Sequence, residues 1–322
     1  MNWMRSLAAL IVMSGLAGPA MAQAYPDRPI RMIVPFPPGG GGDSVARIVG
    51  IELGKRLGQT IVIENKPGAD QVIGTTALAR AAADGYTVML TGNAMMVHAA
   101  YARELPYDAF KDVVPVAKIA NVPVVLLANP QVGAKTLGEL IDLARKKPAQ
   151  LKAAHIGTGS VQYFNVKLLE HLAGVKFLDV PYKGTGPAMT ALMSGEVDIA
   201  FAGVGGGVQL AESGKAVALG VSNTHRSTGA PGIPTLEEAG VPGFVLTSDF
   251  YLYAPGGLPA PIAQRLNREI KAILEEPATA RKLTDMGFEV EIRTQAQSIA
   301  EHKEYYELHG KLIKALGLTW NG

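Results

Sequence analysis

From residue 30 onward the chain alternates short apolar runs with stretches patterned at helical spacing, and this alternation constrains its fold more than any other feature. Residues 30–36 form an apolar run that ends in Pro37-Pro38-Gly39-Gly40-Gly41-Gly42. Asp43 then stands where a helix N-cap belongs, and Val45, Ile48, Val49, Leu53 and Leu57 recur at helical spacing. A strand over 60–64, a helix over 73–83 and a strand over 86–91 repeat the unit, with Pro67-Gly68 and Asp84-Gly85 as the breaks. A second series places strands at 124–128, 151–156, 177–180, 197–201 and 217–221. Helices over 136–147, 160–172, 187–193 and 208–211 lie between them. The last third differs: a long aromatic-bearing strand over 244–253, helices over 261–274, 278–286 and 297–316, and a short strand over 288–292. Repeated strand-loop-helix units predict an α/β protein with mostly parallel sheets covered by helices. The two series predict two lobes, 23–121 with 245–322 as lobe 1 and 122–244 as lobe 2, with strands crossing near 120 and 245.

Composition removes several function classes. There is no cysteine among the 322 residues, which excludes a disulfide framework, a thiolate zinc site, an iron–sulfur cluster and a thiol nucleophile. Thirty Lys+Arg against 28 Asp+Glu, interspersed, leave no basic footprint for nucleic acid. The 37 glycines are in excess, as many tight strand-to-helix turns require. Arg5, the apolar run 7–16, Pro19 and Ala20-Met21-Ala22 read as a secretory signal peptide with the cut after Ala22. Ten apolar residues are too few to span a bilayer core, which takes about 20. Export without cysteine suits a soluble protein of a bacterial periplasm.

Two glycine-rich loops carry the chemical signal. Residues 35–43 and Gly157-Thr158-Gly159-Ser160 each lie between a strand and a helix start, where unpaired N–H groups and the positive end of a helix dipole favour an anion. Facing each other across a cleft, they could hold two ends of a small anion; each alone reads first as an ordinary tight turn. Nucleotide loops fail on spacing, since no lysine follows either glycine cluster. With no arginine in either loop, carboxylate is favoured over phosphate. No nucleophile elbow or HExxH motif is present, so neither catalysis, a metal nor a cofactor is expected. His302 and His309 lie two helical turns apart and read as a solvated face rather than a metal pair. Lys183, in the turn Pro181-Tyr182-Lys183-Gly184, reads either as a carboxylate partner or as a surface lysine.

The order of short motifs resembles the Bug-type periplasmic receptors of tripartite tricarboxylate transporters. These are Tyr25-Pro26-Asp27-Arg28-Pro29-Ile30, Val34-Pro35-Phe36-Pro37-Pro38-Gly39-Gly40 with Asp43, and Glu64-Asn65-Lys66-Pro67-Gly68-Ala69. Asp84-Gly85-Tyr86-Thr87, Leu105-Pro106-Tyr107-Asp108 with Asp112, and Val180-Pro181-Tyr182-Lys183-Gly184 follow. Pro234-Thr235-Leu236-Glu237-Glu238-Ala239-Gly240 and Ala254-Pro255 close a series spread over about 230 residues. The resemblance implies a two-lobed, hinge-closing periplasmic-binding-protein-like fold. It also implies a receptor that hands a small organic carboxylate to two integral membrane transporter subunits, and a receptor that must dock on a membrane partner is most simply a monomer. Carried over, the ligand contacts are Phe36, Pro38, Gly39 and Gly40, then Thr91, Gly92 and Asn93, and from lobe 2 Gly157, Thr158, Gly159 and Ser160.

Three departures bear on the ligand. Where the family continues with two glycines and Asn after Pro-Gly-Ala, this chain has Asp70, Gln71 and Val72. Asp70 in a carboxylate pocket would repel a second carboxylate and welcome an ammonium or hydroxyl; alternatively it caps the next helix. Tyr163 stands where a His is frequent, and either stacks on an aromatic ring of the ligand or donates it a hydrogen bond, or else packs on the lobe surface. Ala202, followed by Gly203, Gly205, Gly206 and Gly207, stands where Asp or Asn is common. Two other functions fit the same residues: a ligand-sensing receptor that acts on a signalling partner, and a secreted α/β enzyme using Ser160 or Lys183.

Overall fold

The computed structural model describes residues 25–101 and 104–319; the expected signal peptide and its cut lie outside them. Strand β1 (Ile30–Val34) is buried except at Arg31, as its apolar run requires. Helix α1 follows (Gly41–Leu57), capped by Gly40 and ended by Gly58 at a left-handed φ of 69°. Asp43 is therefore the third helical residue and not the cap. Strand β2 (Ile61–Asn65), helix α2 (Val72–Ala79), strand β3 (Thr87–Gly92) and helix α3 (Ala94–Ala100) continue the chain. Strand β4 (Val113–Val122) then runs through Pro123 into β5 (Val124–Ala128). Helix α4 (Leu137–Lys146) is fixed by a capping box between Thr136 and Glu139. After it come β6 (Lys152–His155), α5 (Val161–Ala173), β7 (Leu178–Pro181), α6 (Thr185–Ser194), β8 (Ile199–Gly203), α7 (Val204–Glu212) and β9 (Val217–Val221). The chain returns through β10 (Ser248–Pro255), α8 (Ala260–Leu274), α9 (Pro277–Asp285), β11 (Glu289–Val290) and α10 (Gln295–Leu316).

Two sheets result, ordered β11-β4-β10-β3-β1-β2 and β7-β6-β8-β5-β9. Both are mixed rather than mostly parallel. In the first, β1 is parallel to β2 and β3, while β10 is antiparallel to β3 and β4, and β11 to β4. In the second, β6 is parallel to β7 and β8, while β5 is antiparallel to β8 and β9. The departures sit on strands that carry the chain between sheets. Such a strand arrives without a crossover helix in its own sheet, and the crossover helix is what makes neighbours parallel.

Helix α7 starts four residues before its predicted start because glycines mask its pattern. Gly207 is there for contact: a Cβ on it would collide with Val125 of β5. Helix α10 spans both halves of the molecule, its Leu312 packing with Phe164 and Leu246 while Tyr305 and Tyr306 pack on the β10 side. The expectation of a solvated His302/His309 face fails for this reason: the two side chains point into the molecule, 4% and 0% exposed.

Candidate functional site

The strand-to-helix junction after β6 opens into the space between the sheets. Two adjoining cavities there, of about 280 and 740 Å³, share Asp70, Ile156, Gly159 and Ser160. At the second-sheet wall, Ser160 caps α5. Its Oγ accepts the Tyr163 N–H at 3.2 Å and donates to the Gly157 carbonyl at 2.7 Å. With its hydroxyl engaged on backbone both ways, Ser160 serves as the cap of this helix. The first N–H groups of α5, at Val161 and Gln162, have no intrahelical partner, and both residues line the smaller cavity. A helix N-terminus thus opens into the cleft.

Behind it His155 accepts the Gly157 N–H on Nδ1 at 3.2 Å, and burial pushes its pKa down, so the imidazole is neutral with its hydrogen on Nε2. The Tyr163 ring lies 4.9 Å from it, centroid to centroid, and forms part of the larger cavity's wall. Burial raises the Tyr163 phenol, which stays neutral.

The first-sheet wall is built on unusual backbone. Ala69, Asp70 and Gln71 carry φ of 45°, 50° and 73°, three successive non-glycine residues in the left-handed region. Each costs about 1–2 kcal/mol in that conformation. Side chains hold the run in place: Thr91 donates its hydroxyl to Gln71 Oε1 at 2.6 Å, and His98 Nε2 stands 2.9 Å from Asp70 Oδ2. Phe36 packs over Gly42, where a Cβ would lie 2.5 Å from the ring, and stacks on Phe250 with centroids 6.0 Å apart. Across the cleft, Tyr101 donates to the Thr158 carbonyl at 3.2 Å, joining the two walls directly.

The structure brings Phe36, Asp70, Gly92, Asn93, Gly157, Thr158, Gly159, Ser160 and Tyr163 to these cavities. Pro38, Gly39 and Gly40 are exposed and outside the lining. The reason is local. Asp43 folds back beneath its own loop, accepting from Gly39 N–H at 2.9 Å, Arg47 at 2.8 and 3.1 Å and Asn65 at 2.8 Å. The Arg47 guanidinium holds its carboxyl down at about 2 against the effect of burial. The positive end of α1 therefore already faces a carboxylate of this chain. Thr91 is buried behind Gln71, Ala202 is buried in the second-sheet core beside Val125 and Ala154, and Lys183 is an exposed turn residue. The ligand contacts expected from the sequence do not include Gln71, His155, Gln162, Ser248, Phe250 or Tyr305, all of which line the cavities. Gln71 and Gln162 each adjoin a residue that the sequence singles out; Tyr305 reaches the cleft only through the packing of α10.

The family model described as "Tripartite tricarboxylate transporter family receptor" matches residues 45–318. Protein BugT of Bordetella pertussis is 36% identical over 303 residues, 92% of this chain and 93% of that one. Among solved structures, MatC from Rhodopseudomonas palustris with bound malate superposes with a TM-score of 0.76 at 34% identity, over 90% of this chain and 100% of that one. An R. palustris protein with adipate gives 0.78 at 29%, over 92% and 99%.

Proposed function

The chain belongs to the receptor family of tripartite tricarboxylate transporters, periplasmic solute-binding proteins rather than enzymes, and from that premise we propose that it captures a small organic carboxylate between its two lobes. It delivers this ligand, as a monomer, to two integral membrane subunits. The lobes comprise 23–121 with 245–322 and 122–244, and the mature chain starts after Ala22. One observation carries the reading: the N-terminus of α5 opens into a cavity walled by both sheets. There backbone dipoles can meet one carboxylate without a guanidinium. The malate and adipate of the two solved relatives support the same ligand class. Closure around the ligand shifts the population of lobe arrangements by its differential affinity for the closed one.

The test is thermal stability against butyrate, malate, adipate and benzoate, each paired with its amide. A carboxylate at 100 times its Kd adds about 2.7 kcal/mol, a rise of a few degrees for a chain of this length. Gly159→Leu fills the cleft and removes that rise, whereas Gly39→Leu, outside the lining, keeps it. Equal shifts from the amides, or an unaltered rise in Gly159→Leu, refute the reading.

A further inference from the structure

We propose that the ligand of this cleft bears a protonated amine as well as its carboxylate, and that the Asp70 carboxylate receives the ammonium. The inference rests on the receptor reading and narrows its ligand class. It starts from the charges on the walls. Neither cavity is lined by a lysine or an arginine among the described residues, whereas both are lined by Asp70 and the larger also by Asp179. Asp179 is already answered by Lys167, whose Nζ lies 2.7 Å from Oδ2. Asp70 is answered on one oxygen alone. His98 Nε2 faces Oδ2, and since an ionised carboxylate can only accept, the hydrogen there belongs to the imidazole. Oδ1 has no partner among the described residues, and the side chain is 43% exposed at the junction of the two cavities.

Capping, the alternative role for Asp70, is not what it does. Helix α2 has Gln71 at its N-cap position and no side-chain cap bond. The backbone instead runs left-handed through 69–71, and His98, 1% exposed, anchors the carboxylate from behind. Held strain of this kind gathers at ligand sites. An acceptor thus lies on one wall and helix-terminal donors on the other, a complement to a zwitterion. A second carboxylate beside Asp70 would meet like charge with no lysine or arginine among the described lining residues to offset it.

The test compares acids that differ only in the group at the far end. Glycine, β-alanine, 4-aminobutyrate and 5-aminopentanoate are paired with malonate, succinate, glutarate and adipate, with L-alanine and L-glutamate added for α-amines and butyrate as the plain acid. Calorimetric titration of the full secreted protein should find the tightest amino acid bound at least tenfold more strongly than its dicarboxylate partner. For an α-amine that partner is the acid carrying carboxylate in place of the amine. Asp70→Asn keeps an acceptor for His98 and suits the left-handed backbone, so it folds; it should cut the preference at least tenfold while butyrate binds no worse. Asp70→Gly, which relieves the strain and removes the carboxylate, should do the same. Dicarboxylates that bind as tightly as their amino-acid partners overturn the proposal. So does a preference untouched by either variant, which would leave Asp70 as a partner of His98 alone. Binding of butyrate or dicarboxylates without amino acids refutes this inference and spares the receptor reading; binding of none refutes both.

Discussion

Acidification from pH 7.5 to 4.5 should remove on the order of 5 kcal/mol of stability through two buried histidines of α10. His302 Nδ1 lies 2.6 Å from the Ser298 carbonyl, which can only accept, so the hydrogen is on Nδ1 and Nε2 accepts the Tyr253 hydroxyl at 2.8 Å. His309 likewise gives its Nδ1 hydrogen to the Tyr305 carbonyl at 2.8 Å, and its Nε2 is buried with no partner among the described residues. Adding a proton buries a charge in both cases, and at His309 it also buries an N–H without an acceptor. Burial pushes both pKa values down to about 4 from an ordinary value of 6.5. Between those two pH values the unfolded chain binds more protons than the folded one. The stabilisation is complete above about 6.5 and is lost as the pH falls toward 4, roughly 2–3 kcal/mol per histidine. Asp249 acts in the opposite sense: burial raises its carboxyl pKa, so proton uptake there favours the folded state and offsets part of the loss. Thermal midpoints between pH 7.5 and 4.5 test this, with His309→Leu and His302→Gln each expected to remove about half of the slope. A flat profile, or variants as acid-sensitive as the parent, contradicts it.

The same two histidines show where sequence reasoning ends. Their spacing of two turns is plain in the sequence, but whether that stripe faces water depends on α10 lying across both lobes, and no local pattern encodes such packing. Elements bounded by strong punctuation were legible to the residue: β5 and β9 span the predicted Val124–Ala128 and Val217–Val221. Helix α3 was missed because Ala94–Ala100 is short, apolar around most of its surface and lacks a breaker. Strand β4 was signalled only as a crossing near 120, because Pro115 within it argues against a ten-residue strand. At the cleft, all four residues of the Gly157–Ser160 loop line the larger cavity. Of the richer glycine loop only Phe36 lines the cleft, and the reason lies four residues downstream of Gly39. Asp43, held by Arg47 one helical turn further on, accepts the Gly39 N–H that the glycine loop would otherwise offer to an anion.

Replacing Lys118 by methionine should cost about 3–5 kcal/mol at pH 7, the range for removing one partner of a buried ion network. Lys118 is 4% exposed on β4, with Nζ 2.7 Å from Glu291, 3.0 Å from Asp249 and 3.5 Å from Glu301. Burial alone would lower its pKa, but the three carboxylates raise it, and it stays charged. Arg293 adds bonds to Glu301 at 2.7 Å and Glu291 at 3.2 Å, and the Tyr251 hydroxyl donates to Glu301 at 2.8 Å. Burial would raise the Glu301 carboxyl, yet Lys118, Tyr251 and Arg293 together hold it below its ordinary range. Without Lys118, three clustered carboxylates would share one guanidinium, and their mutual repulsion favours proton uptake. The deficit in Lys118→Met should therefore shrink between pH 7 and 5, opposite in sense to the histidine effect, and Lys118→Met with Asp249→Asn should recover part of it at pH 7. Thermal midpoints, expected to fall by about 5–10 °C in the single variant, read all three quantities. A single variant within 1 kcal/mol of the parent at pH 7, or a deficit that grows on acidification, would show that the cluster is not what joins β4 and β10 to α10.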